Sequence, residues 1–389
     1  MYFSPKTSAD GLVFHYDTGN TVRSYLGEPT TNLVNPDWSA WSVDGSGQGT
    51  IGTRTLLSTY HCRIVDVVAN TRQYIFVEGV SASTQYTFSV KFLKITGAPT
   101  LRFQLQAYNG GNYISAWFPT TVQIGVADID GWQTAYYTVT TPANTTRVLW
   151  FMQDGDDYTT YTHSFELKEP QAEAKSHPTQ FTAGTRSATQ GLKDLTAANT
   201  INLSNVSFDA NAQMTFDGTD DYVDVGDLGT IGSSYSLECV FKSTSVTSYK
   251  NIFDMNYATY SGVTGNTGPR LEQTSGQGIN FIWSGVTNNN NLYNNTNLFA
   301  ISANTYYHVA FIQNGTTGAM YVNGTLRDQA SNAQGYLQTF GDFNLGRGFV
   351  LDPSRYFSGN VDMFKIFNRA LTADEVRNNY RHYKTRFSI

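Results

Sequence analysis

Tyr356-Phe-Ser-Gly-Asn-Val-Asp-Met-Phe-Lys-Ile-Phe-Asn-Arg-Ala-Leu-Thr-Ala-Asp-Glu-Val-Arg-Asn-Asn-Tyr380 reads as one strand followed by one helix. Phe364 and Ile366 alternate with Lys365 and Phe367, the period of two that a sandwich strand requires. Thr372 stands three residues before Glu375, so hydroxyl and carboxylate can each take a backbone N–H left free at a helix start. Leu371 and Val376 bracket that cap as a hydrophobic staple. A short helix is marginal alone, so in a strand-and-turn sequence it must dock on a sheet.

Upstream, the same style of sequence recurs in Met214-Thr-Phe-Asp-Gly-Thr-Asp-Asp-Tyr-Val-Asp-Val225, Tyr235-Ser-Leu-Glu-Cys-Val-Phe-Lys242, Tyr307-His-Val-Ala-Phe311 and Met320-Tyr-Val-Asn-Gly324. Together with Gly359–Asp362 and Phe364–Val376, this set resembles laminin-G-like (concanavalin-A-like) jelly-roll domains over residues 187–389. The resemblance implies a β-sandwich and leaves the ligand open, because one fold hosts many functions.

Residues 31–170 break into short alternating segments: Arg63–Val68, Gln85–Phe92, Leu101–Ala107, Ala135–Thr140, Arg147–Gln153 and His163–Leu167. Tyr86, Phe88, Val90 and Phe92 share one face of such a strand. Asn35-Pro-Asp-Trp-Ser-Ala-Trp41, the Tyr86 strand, Gly131-Trp132 and Phe165-Glu-Leu167 resemble jelly-roll carbohydrate-binding modules. Between the two sandwiches, residues 171–186 concentrate charge and proline and are expected as a linker. Residues 1–30 hold one strand candidate, Gly11–Tyr16, and are expected as a short N-terminal arm docking on a neighbouring subunit, the other reading being an edge strand of the first sandwich. The expected class is all-β: two antiparallel jelly-roll sandwiches in tandem, with that arm and a short C-terminal helix.

Composition narrows the partners. A net charge of −6 with no basic run argues against nucleic acid and anionic membranes. No apolar run reaches the length of a membrane span, which excludes helical insertion. Cys62 and Cys239 read as buried apolar residues and not as a disulfide framework. Met1-Tyr-Phe-Ser-Pro-Lys6 lacks the charged start and apolar core of a Sec-type signal, giving the expectation of synthesis in a host cytoplasm. The opening segment, and the run Gln171-Ala-Glu173…Pro178-Thr-Gln-Phe181…Gly184-Thr-Arg186, resemble segments of tailed-phage virion proteins.

No G-x-S-x-G elbow or Cys–His signature accompanies the six histidines, and His308 reads as a packed strand residue. Glu238, Glu166 and Asp362 are the carboxylates closest to what glycoside hydrolysis needs, but Glu238 is expected to face outward and no spaced acidic motif is present. Asp217, Asp220 and Asp221 offer clustered hard oxygen ligands suited to calcium, against an ordinary Asp-rich turn. Trp41, Trp117, Tyr257, Tyr260, Trp283 and Tyr293 lie beside polar loops, and Asn288 and Asn290 sit between Trp283 and Tyr293. Flat rings next to neutral amides form a candidate glycan site. The expectation is therefore a non-enzymatic phage virion protein, a capsid decoration or tail-fibre component with a glycan-adhesive surface. Its partners would be capsid or tail subunits, copies of itself, and host-surface or environmental glycans. The alternative is a free or secreted carbohydrate-binding protein.

Overall fold

The structure is a computed structural model that describes residues 7–45, 52–66, 71–97, 99–117, 122–154, 163–209, 211–246, 249–255, 269–273, 278–282, 299–331, 342–348 and 355–389. The chain divides into two compact units. One joins Met1–Glu28 to Ser187–Ile389, and the other is Pro29–Arg186. The all-β expectation with a single C-terminal helix holds, but the sandwiches are nested in sequence and not consecutive.

The discontinuous unit is built from an eight-stranded and a six-stranded sheet. Ser358–Phe367, the strand first read from sequence, lies inside the larger sheet, where it pairs with Ser234–Ser243, with Met214–Asp217 and with Leu12–Asp17. Phe364 and Ile366 turn inward with Leu237, Cys239 and Phe241, as their alternation requires. Phe14 and Tyr16 are fully buried in that same core, and the Phe14 ring lies 5.4 Å from Phe343 and 6.5 Å from Phe364. An arm apart from both sandwiches does not describe this segment: its strand completes the unit formed by the far end of the chain. Local periodicity could identify the strand but not a partner more than three hundred residues away.

The helix spans Ala373–Phe387 and starts as read, with Glu375 N donating to Thr372 Oγ1 and Thr372 N donating to the Glu375 carboxylate. It lies on the outer face of the eight-stranded sheet through two small apolar clusters. Leu371 and Val376 meet Phe367 and Ile312, and Tyr383 and Phe387 meet Val240 and Met363.

The inserted unit packs a six-stranded sheet and a five-stranded sheet around one core. Trp150 is its centre, with ring contacts to Trp41 at 5.4 Å, Phe88 at 5.3 Å and Phe103 at 5.2 Å. Aromatic pairs at such separations contribute roughly 0.5–1.5 kcal/mol each beyond buried area. The stretch expected as a linker takes part in this unit: Gln171–Glu173 continues the His163–Glu173 strand, and Thr185–Arg186 pairs with Thr30–Thr31.

Candidate functional site

The five-stranded sheet runs Ser42–Gly45, Thr71–Glu78, Arg147–Asp154, Leu101–Asn109, Asn112–Trp117. Its inner positions (Val77, Val148, Trp150, Phe103, Leu105) fill the core. Since side chains alternate, the residues between them form the outer face. Register then sets out a grid. Glu78, Arg147, Tyr108 and Tyr113 form one row, Phe76, Leu149, Gln106 and Ala116 the next, and Tyr74, Phe151 and Gln104 a third. Tyr74 meets Phe151 at 5.3 Å, Phe76 meets Tyr108 at 5.5 Å, and Tyr108 meets Tyr113 at 5.8 Å. The Arg147 guanidinium lies 4.0 Å from the Phe76 ring centre and donates to Glu78 at 3.5 Å. Tyr108 Oη donates to Gln106 Oε1 at 2.9 Å, and Tyr113 is 58% exposed. The face thus offers flat rings with neutral amides between them, the combination that stacks on sugar faces and hydrogen-bonds hydroxyls.

This face lies outside the expectations drawn from sequence, which rest on the apolar half of each alternation and do not include the Thr71–Glu78 strand. The signal was present in Arg72-x-Tyr74-x-Phe76-x-Glu78 and Arg102-x-Gln104-x-Gln106-x-Tyr108.

The residues singled out from sequence fall elsewhere. Trp41 is 2% exposed, meets the Trp38 ring at a tilt at 4.9 Å and donates from Nε1 to Asn35 O, so its ring is core. Trp117 is half-buried against the same core. Tyr257, Tyr260, Trp283, Asn288, Asn290 and Tyr293 lie outside the described residues. The strands these segments join, Asn251–Asp254, Arg270–Gln273 and Ile279–Ile282, carry a buried polar layer. There Asp254 stands opposite both Arg270 and Asn344, and Asn251 opposite Glu272. Arg355 donates to Glu272 at 3.0 Å, and Arg347 donates twice to Asn344 Oδ1 while lying 3.5 Å from the Tyr222 ring centre.

The Asp217, Asp220 and Asp221 carboxylates do converge, with one oxygen of each within 4.8 Å of the others. Asp217 Oδ1 accepts from Thr219 N at 2.7 Å, and Asp221 Oδ2 accepts from Asp217 N at 2.8 Å. Calcium takes six to eight oxygens. Three carboxylates, two of them already engaged by backbone donors, supply half a shell, which fits an Asp-rich turn better than a calcium site. Burial, together with Asp217 and Asp220, pushes the Asp221 carboxyl up to about 6 against the Asp217 N–H bond.

The three carboxylates weighed for hydrolysis are all buried. Glu238 does point away from the sandwich core, but it meets the helix and not solvent: Asn379 Nδ2 donates to it at 2.7 Å. Burial raises its carboxyl to about 7, opposed by Lys365, which stands directly across the sheet. His308, 3.7 Å from Glu238, is packed as expected, but its ring nitrogens have no hydrogen-bond partner; burial and Lys365 lower its pKa to about 3. Asp362 accepts from Met214 N at 2.7 Å and Tyr306 Oη at 2.6 Å. Glu166 is held by His61 and Arg63.

Residues 217–377 match the family described as the concanavalin A-like lectin/glucanases superfamily, so the discontinuous unit contains a jelly roll of that kind. No curated protein matches the chain. Among solved structures, domain 4 of AbnA, a GH43 extracellular arabinanase from Geobacillus stearothermophilus in complex with arabinotriose, is similar at 17% identity and TM-score 0.36, covering 49% of this chain and 92% of that one. A mutant Trypanosoma rangeli sialidase displaying trans-sialidase activity is similar at 12% identity and TM-score 0.41, covering 50% and 31%. The botulinum neurotoxin serotype D ligand-binding domain in complex with N-acetylneuraminic acid is similar at 15% identity and TM-score 0.38, covering 50% and 49%. This chain therefore spans less than half the length of the sialidase and neurotoxin chains it resembles.

Proposed function

We propose that this protein is a non-enzymatic glycan-binding protein whose sugar platform is the outer face of the five-stranded sheet. The observation that carries the reading is the grid of Tyr74, Phe76, Tyr108 and Tyr113 interleaved with Gln104 and Gln106. The lectin/glucanase family match of the other unit is consistent with it. The burial of Glu238, Glu166 and Asp362 supports a binding role over hydrolysis. In its finer form the proposal places the protein on a tailed-phage particle, as a capsid decoration or tail-fibre component in contact with other virion subunits. The support is the sequence resemblance of the opening segment and of residues 171–186. Many copies on one particle would turn weak single sites into avidity. A glycan array probed with a multivalent form tests the platform. Tyr74→Ala and Tyr113→Ala should each weaken binding by ~1–3 kcal/mol, by analogy with base–aromatic stacking. Binding that survives both substitutions refutes the platform. Mass spectrometry of purified phage particles tests the location, and absence from every particle fraction favours a free or secreted carbohydrate-binding protein.

A further inference from the structure

The opposite sheet of the inserted unit has an outer face of different chemistry. Register places Lys91 of Gln85–Thr96 directly across from Lys168 of His163–Glu173, and Lys168 directly across from His61 of His61–Asp66. Neighbouring strands lie ~4.8 Å apart, so Lys91 and His61 stand ~10 Å apart with Lys168 between them. Arg63 follows two residues on along the His61 strand, on the same face, with a side chain 45% exposed. Like charges directly opposite one another destabilise a sheet. The fold accepts that cost between Lys91 and Lys168 in a chain whose net charge is −6.

What neutralises these groups inside the protein is small. Glu166 Oε2 lies 2.8 Å from His61 Nε2, and its Oε1 accepts from Arg63 Nε at 2.9 Å and from Arg63 Nη2 at 2.5 Å. That single carboxylate is spent on His61 and Arg63. Lys168 Nζ is instead set 4.0 Å from the Trp132 ring centre, and His61 meets the same ring edge-on at 5.3 Å. A ring quadrupole holds an ammonium in place without cancelling its charge. Among the described residues, neither Lys91 nor Lys168 pairs with a carboxylate.

We infer that this face is an anion-binding site for a sugar chain bearing carboxylate or sulfate groups, with Lys91 and Lys168 holding the acidic groups and Trp132 fixing Lys168. The site is distinct from the aromatic platform, which lies on the five-stranded sheet and carries its own rings. Its width favours a sugar chain over a nucleic acid. A duplex is held by a long basic stripe of phosphate contacts, whereas this row runs from Thr134 to Ser58 across only two lysines and one histidine.

Titration calorimetry on the full chain, with alginate oligosaccharide (carboxylate), heparin oligosaccharide (sulfate), a neutral dextran oligosaccharide and duplex DNA, tests the inference. At least one acidic sugar should bind at low salt and weaken as salt rises. Lys91→Gln and Lys168→Gln should each reduce that affinity about tenfold. Tyr113→Ala, on the other sheet, should leave it unchanged, so that loss of the platform and loss of this site remain separable. Lys91→Gln should also keep or raise the thermal midpoint, because it removes a like-charge pair. Preference between alginate and heparin identifies the acidic group. The inference is overturned if neither acidic sugar binds, if both lysine variants bind as the parent does, or if duplex DNA binds more tightly than either sugar at the same salt.

Discussion

Two outer sheet faces in this molecule come from the same kind of sequence and end in opposite environments. In the discontinuous unit, Glu238, His308 and Lys365 occupy the polar positions of alternating strands and are completely buried beneath the C-terminal helix. In the inserted unit, Tyr74, Gln104 and Gln106 occupy the equivalent positions of their strands and remain partly open to solvent. A polar residue at every second position therefore marks the face away from the core, not a wet face. Whether that face is wet depends on what covers it, and here a fifteen-residue helix makes the difference.

The contrast can be broken most severely at the N-terminus. Phe14→Ala should destabilise the discontinuous unit by ~3–5 kcal/mol, the usual cost of emptying a buried aromatic site. Removal of residues 7–17 should abolish its cooperative unfolding altogether. Five of the six tryptophans (Trp38, Trp41, Trp117, Trp132 and Trp150) lie in the inserted unit, so urea unfolding followed by tryptophan fluorescence should stay close to the parent curve. A fluorescence transition lost together with the rest would show that the two units do not fold independently.

The buried layer comes next. Glu238→Ala strands Lys365 without its counter-charge and should cost ~3 kcal/mol, whereas the pair Glu238→Gln with Lys365→Met should cost much less, because neutral replacement of both ions leaves no buried charge uncompensated, while removal of one does. Equal losses for the two variants would mean that the ions are not coupled.

Acid should act on the same layer with a defined sign. His308 protonates near 6.5 when unfolded but near 3 in the fold, with burial the main cause and Lys365 the second. The unfolded chain therefore binds the extra proton between those values, and stability falls as pH drops from about 6.5 towards about 3, by at most ~1.4 kcal/mol per pH unit for one group. Glu238 works the other way: its carboxyl is raised from 4.5 to about 7, so the stability it contributes is present below 4.5 and lost as pH rises through about 7. His308→Gln should flatten the acid limb of a stability–pH profile and leave the limb near neutrality in place. An unchanged acid limb would remove His308 as its cause.

The smallest effect is expected at the cap. Thr372→Ala should cost ~1 kcal/mol in the discontinuous unit, measured by chemical denaturation, since a helix held by packing keeps most of its stability when one end loses a partner. A loss several times larger would mean that the cap positions the entire helix over Glu238 and Lys365.

Much of the fold was legible for local reasons. The Phe364–Ile366 alternation, the Thr372–Glu375 cap and the six strand segments between Arg63 and Leu167 each follow from side chains within a few residues of one another. The candidate site was less legible. Trp41 beside a polar loop looked open, but the ring packs on Trp38 and Trp150, partners that adjacency in sequence does not fully disclose. The aromatic platform required the register of five strands before Tyr74, Phe76, Tyr108 and Tyr113 could be seen as neighbours.

The sequence by itself determined the element types, the apolar face of each strand and the capped helix, because these depend on periodicities and hydrogen bonds that close within a turn or a strand. Only the tertiary structure decided that Leu12–Asp17 belongs with Ser358–Phe367, that Glu238 is covered, and that Lys91, Lys168 and His61 stand in one row. Those facts are pairings between segments far apart in the chain. Strand pairing is satisfied by backbone groups that every residue but proline carries, so the choice of partner is made by how whole faces pack.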